Sequence, residues 1–353
     1  MSPNHLQRLQ SFQKKMIQEN VDAAFISKKE NIFYLSGFIS LTPTEREAYL
    51  IITHDETVLF HSPFIEPNKN TRMLLTTIPM SADYTLTQIL TTYLSDTIIL
   101  GIEKLDLTVA EAERCLTILP HTSVVSIDNM FKSMRQIKDK FEIDQIHIAC
   151  QIAQNTMKWI YKFVRSDESV GITEAELFHQ INRQFIEFGA DGTAFPTIVA
   201  FDEHTASPHH IPSDKKLTTD SIVLIDMGAL YKGYKSDMTR TWCLSSSPPP
   251  LFSQIEHIVK TAYSTAKKLL PLKKTTTASD IDTAARSSIN NAGYGENFIH
   301  TTGHGIGLEA HESPSLNLSN QEILKPGMVI TIEPGIYFPG QFGYRHEDTF
   351  ILK

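Results

Sequence analysis

The sequence predicts an α/β unit over residues 1–130 followed by an α+β unit over residues 131–353. Three observations predict it. A chain of 353 residues is longer than one core usually organises, at roughly 150 residues per domain. Strand-like runs alternate with helix-like segments as far as Ile127, after which the charged stretch Lys132, Arg135, Lys138, Asp139 and Lys140 opens a long amphipathic helix. Beyond it the order helix, helix, hairpin occurs twice, from about residue 138 to 244 and from about 251 to 352, as a duplicated unit would.

In the first unit, Leu6, Leu9, Phe12 and Ile17 recur at helical spacing, so a helix is expected over His5 to Glu19. Short β-branched and aromatic runs predict strands at Ala23 to Ser27, Ile32 to Phe38 and Tyr49 to Ile52, and a last one at Thr122 to Ile127. The second unit starts with the helix that carries Ile143, Ile146, Ile152 and Ile160. Thr173 and Glu176 form a capping box for the next helix, and Gly189 is its expected stop. Strands are predicted at Phe195 to Phe201, Ile222 to Leu230 and Asp237 to Leu244. After the break at Ser247 to Pro250 come helices at Phe252 to Leu270 and Ser279 to Ala292, then strands at Met328 to Phe338 and Tyr344 to Leu352.

Composition excludes several functions. Lys+Arg 32 against Asp+Glu 40 leaves a net charge of -8, so the general attraction to phosphate backbones and anionic lipid is missing and nucleic acid is not an expected partner. Three cysteines far apart, Cys115, Cys150 and Cys243, argue against a disulfide framework and against a zinc clip of paired thiolates. The opening MSPNHLQRLQSFQKK has no apolar signal-peptide core, and no apolar run reaches the ~18 residues that span a bilayer. The expected setting is the cytoplasm, with no membrane.

The chemistry is carried by carboxylates. Ile222 to Leu244 reads as two strands joined through Tyr231, Lys232 and Gly233; a hairpin centred between Tyr231 and Lys232 sets Asp226 directly opposite Asp237. In the last hairpin Glu333 and Glu347 are equidistant from Gly340 and face each other in the same way. Two opposed acidic pairs in apolar strands are costly without cations between them. Carboxylates with an imidazole favour Mn, Co, Zn or Fe over Ca, and bridging carboxylates suit two metals. The imidazole is His304, in TGHGIGL, where Gly303, Gly305 and Gly307 clear side chains from around it. His311 follows seven residues later, and Pro208, His209 and His210 lie in a loop before the first acidic hairpin; an imidazole beside such a centre donates to an oxyanion or passes protons, while His210 reads as a surface residue. His5, His54, His61, His121, His147, His179 and His257 read as background.

The segments VLIDMGALYKGYKSDMTRTW, GHGIGLEAHESPS, PGMVITIEPGIY and GYRHEDTF, in this order and spacing, resemble the pita-bread metallopeptidases, specifically the Xaa-Pro group of aminopeptidase P and prolidase. The likeness covers essentially the whole chain, because a creatinase-type α/β domain with a YLSGF-like element (Tyr34 to Phe38) precedes the catalytic domain in that group. The resemblance implies a pita-bread catalytic domain over residues 131–353 and five ligands of a dinuclear site: Asp226, Asp237, His304, Glu333 and Glu347. Manganese or cobalt usually serves there, and zinc or iron suits the donors. Asp237 and Glu347 would bridge, Asp226 would hold one ion, and His304 with Glu333 the other. His209 and His311 match substrate-facing histidines, His300 a third near the site, and Arg345 an arginine that orients Glu347 or contacts substrate. His346 departs from the aliphatic residue usual at that position; on a strand it alternates away from Glu347.

The implied activity is hydrolysis of the peptide bond before proline in proline-containing peptides, with Glu333 as base and His209 and His311 at the substrate. Aminopeptidase P is the first reading and prolidase, an Xaa-Pro dipeptidase, the alternative. A non-catalytic peptide-binding protein on the same fold is the reading from another class, and a dinuclear phosphoesterase is weakened by the lack of a basic phosphate clamp. The group allows a homodimer.

Overall fold

Asn4 accepts the Gln7 N–H and starts helix α1 (His5–Gln18), which buries Leu9, Phe12 and Met16 at a spacing of three and four. The run Ile32 to Phe38, expected as a strand, is instead mostly helical. After β1 (Ala23–Ile26) the chain forms α2 (Lys29–Ser36), with Ile32, Leu35 and Ser36 buried on one helical face, and Gly37 at φ 73° closes the helix in the left-handed conformation. That glycine stop outweighs the β-branched and aromatic character of the run.

There follow β2 (Ala48–Thr53), β3 (Thr57–His61), α3 (Lys69–Leu74), β4 (Thr76–Pro79), α4 (Leu86–Leu94), β5 (Ile99–Ile102), α5 (Val109–Ile118), β6 (Ser123–Ser126) and α6 (Asp128–Gln136). The six strands form one mixed sheet in the order β4-β3-β2-β1-β5-β6, with Phe25, Tyr49, Phe60, Leu90, Leu94 and Leu100 in its core. This is a computed structural model that describes residues 4–42, 45–82, 84–271 and 273–353, and its contacts divide the chain between Met134 and Arg135.

The second unit carries α7 (Lys140–Phe163) and α8 (Glu174–Glu187), both opened by capping boxes, from Asp139 and Thr173. Then come β7 (Gly192–Thr193), β8 (Ile198–Phe201), β9 (Ile222–Met227), β10 (Ala229–Tyr231), β11 (Tyr234–Lys235) and β12 (Met238–Cys243). The second half has α9 (Pro250–Lys267), α10 (Ala278–Asn291), β13 (Gly303–Gly305), β14 (Glu312–Leu316), β15 (Val329–Ile332), β16 (Gly335–Phe338), β17 (Phe342–Arg345) and β18 (Asp348–Ile351). Two helices covering a small antiparallel sheet thus occur twice: α7 and α8 with β12-β9-β8, and α9 and α10 with β14-β13-β15-β18.

Alternation along the central strands places the site. Val223, Ile225 and Met227 of β9 pack into the core formed with α7 and α8, so Asp226 lies on the opposite face of that sheet. Ile330 and Ile332 of β15 pack into the core formed with α9 and α10, so Glu333 falls on the face turned away from those helices. Among the described residues no helix is long and apolar enough to cross a membrane.

The first hairpin is in a different register from the expected one. Thr239, and not Asp237, pairs with Asp226, and Tyr231 pairs with Tyr234 around a two-residue turn at Lys232 and Gly233, both at positive φ (47° and 85°). A turn centred one residue earlier would force Tyr231 into the left-handed region, whereas this one gives that region's second position to a glycine. The slip is by two residues, so Asp226 and Asp237 keep the same face and become diagonal neighbours. The second hairpin pairs Ile332 with Asp348 and Gly335 with Arg345 in one continuous register around Gly340, which sets Glu333 across from Glu347.

Candidate metal centre

The glycines around His304 are required by the approach of neighbouring backbones. A Cβ on Gly303 would stand 2.2 Å from the Thr331 carbonyl oxygen, and one on Gly305 would stand 2.2 Å from that of Ser313. Strand β13 is therefore squeezed between β14 and β15, which delivers the His304 ring beside the acidic residues. His304 Nδ1 lies 3.0 Å from the Gly305 carbonyl, which can only accept, so Nδ1 carries the proton and Nε2 keeps its lone pair. That Nε2 lies 3.3 Å from Glu333 Oε1 and 3.7 Å from Asp237 Oδ2. Burial pushes the ring's pKa down to about 4, so it is neutral at pH 7.

The four carboxylates are crowded and under-partnered. Asp226 Oδ1, Asp237 Oδ1 and Glu347 Oε1 are buried with no hydrogen-bond donor. Burial first, and then the mutual repulsion of these acids, raises Asp237 and Glu347 well above the ordinary carboxylate range; burial pushes Glu333 up to about 8. Three orphaned oxygens on residues that share one cavity with an imidazole lone pair form a hard-donor set that divalent cations would satisfy, and Asp237, Glu347 and His304 bring ligand atoms within 4.8 Å of one another, so the residues fit a metal centre.

One buried cation holds the cluster in place. Arg345 donates from Nη2 to Asp226 Oδ2 (2.7 Å), from Nε to Thr239 Oγ1 (3.1 Å) and from Nη1 to the Tyr337 hydroxyl (2.7 Å). Thr239 Oγ1 in turn donates to Glu347 Oε2 at 2.6 Å, so a single guanidinium orients carboxylates from both hairpins. Tyr337, whose oxygen accepts from Arg345, stands 2.9 Å from His300 Nε2, and His300 Nδ1 lies 2.8 Å from the Thr301 carbonyl. Both ring nitrogens of His300 are therefore engaged within the protein.

These groups line a cavity of about 800 Å³ together with His209, His311, Phe178, Phe195 and Ile211. The His311 ring stands edge-on to His304 at 4.4 Å. Two histidines given no role by the sequence, His179 as background and His210 as a surface residue, belong here as well. His179 reaches the wall from α8, and His210, read as a surface histidine, is half-buried and lies 2.8 Å from Glu174 Oε2. Glu174 carried no signal beyond following the Thr173 cap. Glu312 also lines the cavity, held at a pKa of about 2 against its burial by the charges of Lys138 and Arg135.

The raised carboxylates make a pH prediction for the metal-free protein. Glu333 binds its proton in the folded state up to about 8, against 4.5 as a free side chain. Stability from this group is full below pH 4.5 and is lost as the pH rises through 8, because over that window the folded chain holds a proton that the unfolded chain has released. In EDTA the melting temperature should fall from pH 5 to pH 8, and added Mn²⁺ should raise it more at pH 8 than at pH 5. A melting temperature that climbs over this range in EDTA would contradict the acidic cluster.

Buried acids of this kind with one imidazole, set between two helix-backed sheets at a cavity, define a metal-dependent hydrolase. The sequence pattern of metallopeptidase family M24 matches residues 144–353, and that of the creatinase/prolidase N-terminal domain matches residues 8–137. The chain belongs to metallopeptidase family M24, whose members use divalent metals. An uncharacterised peptidase of Staphylococcus saprophyticus is 35% identical over 98% of this chain and 96% of its own. Among solved structures, the prolidase from Pyrococcus furiosus is 34% identical with a TM-score of 0.84 over 97% of this chain and 96% of its own. The X-Pro aminopeptidase from Thermotoga maritima is 29% identical with a TM-score of 0.85, over 98% and 94%. The fold is the creatinase-type N-terminal domain followed by the pita-bread catalytic domain of the Xaa-Pro peptidases.

Proposed function

We propose that the chain is a dinuclear Xaa-Pro aminopeptidase, removing the first residue from peptides whose second residue is proline. The observation that carries this reading is the set of three unpartnered carboxylate oxygens, of Asp226, Asp237 and Glu347, on residues that line one peptide-sized cavity together with His304. Asp226, Asp237, His304, Glu333 and Glu347 would hold two divalent ions, manganese being the first choice and cobalt, zinc or iron the others, with Asp237 and Glu347 shared. When bound, such a pair supplies a water of lowered pKa and a Lewis acid for the scissile carbonyl.

The chain's own residues do the rest. Glu333 is the base that takes the proton and returns it to the proline nitrogen; 17% of its side chain is accessible, more than that of Asp226, Asp237 or Glu347, so its proton has a path to the substrate. His209 and His311 donate to the developing oxyanion and hold the scissile bond. Arg345 and, through Tyr337, His300 act as positioning residues for the acids. An Xaa-Pro bond is a tertiary amide without N–H, so a site that grips the leaving-side N–H cannot use it, and an apolar wall takes its place. Phe178, Phe195 and Ile211 supply such a wall.

The aminopeptidase reading rests on what the wall does not offer. Among the described residues lining the cavity there is no lysine, and the one guanidinium, Arg345, is bonded within the protein, so no free cation waits for the C-terminal carboxylate of a dipeptide. A prolidase is the second reading, favoured by the likeness to the Pyrococcus enzyme. With Mn²⁺ present, Xaa-Pro-Yaa tripeptides should be cleaved much faster than Xaa-Pro dipeptides; cleavage confined to dipeptides would establish the prolidase reading instead. The setting we infer is the cytoplasm, supported by widely spaced cysteines, all three of them free.

The preference for proline can be sized. Replacing proline by alanine in the substrate removes about three methylenes of ring burial, on the order of 2 kcal/mol at ~0.8 kcal/mol per CH₂, or roughly 30-fold in kcat/KM. Equal rates on Xaa-Pro and Xaa-Ala peptides would leave the metal centre standing and remove the proline assignment.

A further inference from the structure

A second set of ligand-type side chains, of which His210 lines the cavity, takes no part in the carboxylate centre. Glu174, the first residue of α8, is fully buried (0%). Two histidines meet it: His204, in the short 3₁₀ turn Asp202–Ala206, and His210, in the loop that follows. His204 Nδ1 lies 2.9 and 3.2 Å from the two carboxylate oxygens, and His210 Nε2 lies 2.8 Å from Oε2. The two rings stand 4.4 Å apart, inclined by 34°. The same carboxylate accepts from the Phe201 N–H (2.7 Å), the Ser213 N–H (3.0 Å) and the Ser213 hydroxyl (2.6 Å).

The donors exceed the acceptors. A carboxylate offers about four lone-pair positions, and here the two imidazoles, two backbone amides and one hydroxyl make five donors. Each ring must also carry its proton on the nitrogen that faces the acid. If both nitrogens give up those protons and turn their lone pairs to a cation, the carboxylate keeps three donors and has one position left for the metal. The balance then closes. The three remaining donors are of the kind that orient a ligating carboxylate.

We propose that Glu174, His204 and His210 form a separate transition-metal site that binds Zn²⁺. Two neutral imidazoles and one carboxylate are a common protein set for four-coordinate zinc, with water in the fourth position, and they disfavour Mg²⁺ and Ca²⁺. Bonds of about 2.0–2.2 Å in a tetrahedron place donor atoms about 3.4 Å apart, so each ring has to recede by roughly half an ångström. His204, with 31% of its side chain exposed, has room to do so. The site has a structural consequence for catalysis: Pro208, His209, His210, Ile211 and Pro212 all line the cavity, so an ion on His210 ties this loop to the start of α8.

The test counts zinc. Chain stripped with a chelator is dialysed against low-micromolar Zn²⁺ and analysed by atomic emission, for the wild type, His204→Ala/His210→Ala and Asp237→Asn. The double variant should hold one equivalent fewer than the wild type, while Asp237→Asn retains that equivalent and loses zinc from the carboxylate centre. Equal zinc in the double variant and the wild type overturns the proposal. Should the double variant melt early, His204→Gln keeps an N–H for Glu174 but lacks the imidazole; it should show a loss of at least tenfold in affinity for the last zinc bound, and wild-type affinity there overturns the proposal equally. An Asp237→Asn protein with undiminished zinc would count against the dinuclear reading alone, so the two failures are distinguishable.

Discussion

Asp237→Asn removes most turnover, with a loss in kcat/KM of more than about 10²-fold at saturating Mn²⁺. Residues that merely support metal ligands commonly cost 10- to 100-fold when changed, and Asp237 stands in the ligand set itself. The change is nearly isosteric. The Asp237 backbone is held by Thr349 on both sides, its N–H donating to Oγ1 at 3.2 Å and its carbonyl accepting from that hydroxyl at 2.8 Å, so the strand keeps its place. Asparagine also removes the Asp237 carboxyl, whose ionisation is disfavoured by burial and by Glu347, Asp226 and Glu333. The metal-free variant should therefore melt no lower than the metal-free wild type at pH 8. Metal analysis, steady-state kinetics and thermal melts in EDTA check the three statements, and unchanged turnover with full metal content would refute the ligand assignment.

His209→Ala lowers kcat by about 10² to 10³ with the metal content intact, the usual effect of losing one donor to an oxyanion. His209 is exposed to the cavity and close enough to His311 for its charge to disfavour protonation there, yet it is absent from the ligand-type groups that lie within reach of one another. A change confined to KM would place His209 at a part of the substrate remote from the reacting carbonyl. Metal loss would place it among the ligands.

Much of this site is legible along the chain because its signals are local. The acids, the imidazole with its flanking glycines and the capping boxes each lie within a few residues of the feature that reveals them. The Glu333 and Glu347 pairing could be read by counting outward from Gly340, since a glycine-rich turn with φ 74° at its centre fixes the register. The same counting failed by two residues at Asp226, because the choice between a turn at Tyr231–Lys232 and one at Lys232–Gly233 depends on which residue tolerates a positive φ. The helix at Lys29–Ser36 was hidden for a related reason: its apolar residues suit a strand equally well, and only the stop at Gly37 separates the two.

By itself, then, the sequence determined the two-domain order, the residue types of the centre and the face on which each strand presents them, because side-chain alternation and turn chemistry act over a few residues. Only the tertiary structure decided how the two acidic hairpins are joined. Arg345 reaches Asp226 across 119 residues and Thr239 reaches Glu347 across 108. It also brought His204 and His210 to Glu174, across 30 and 36 residues. Such bonds form where separate sheets and loops meet around a buried charge, and the partner that satisfies the charge is selected by packing in three dimensions, which leaves no periodic trace in the chain.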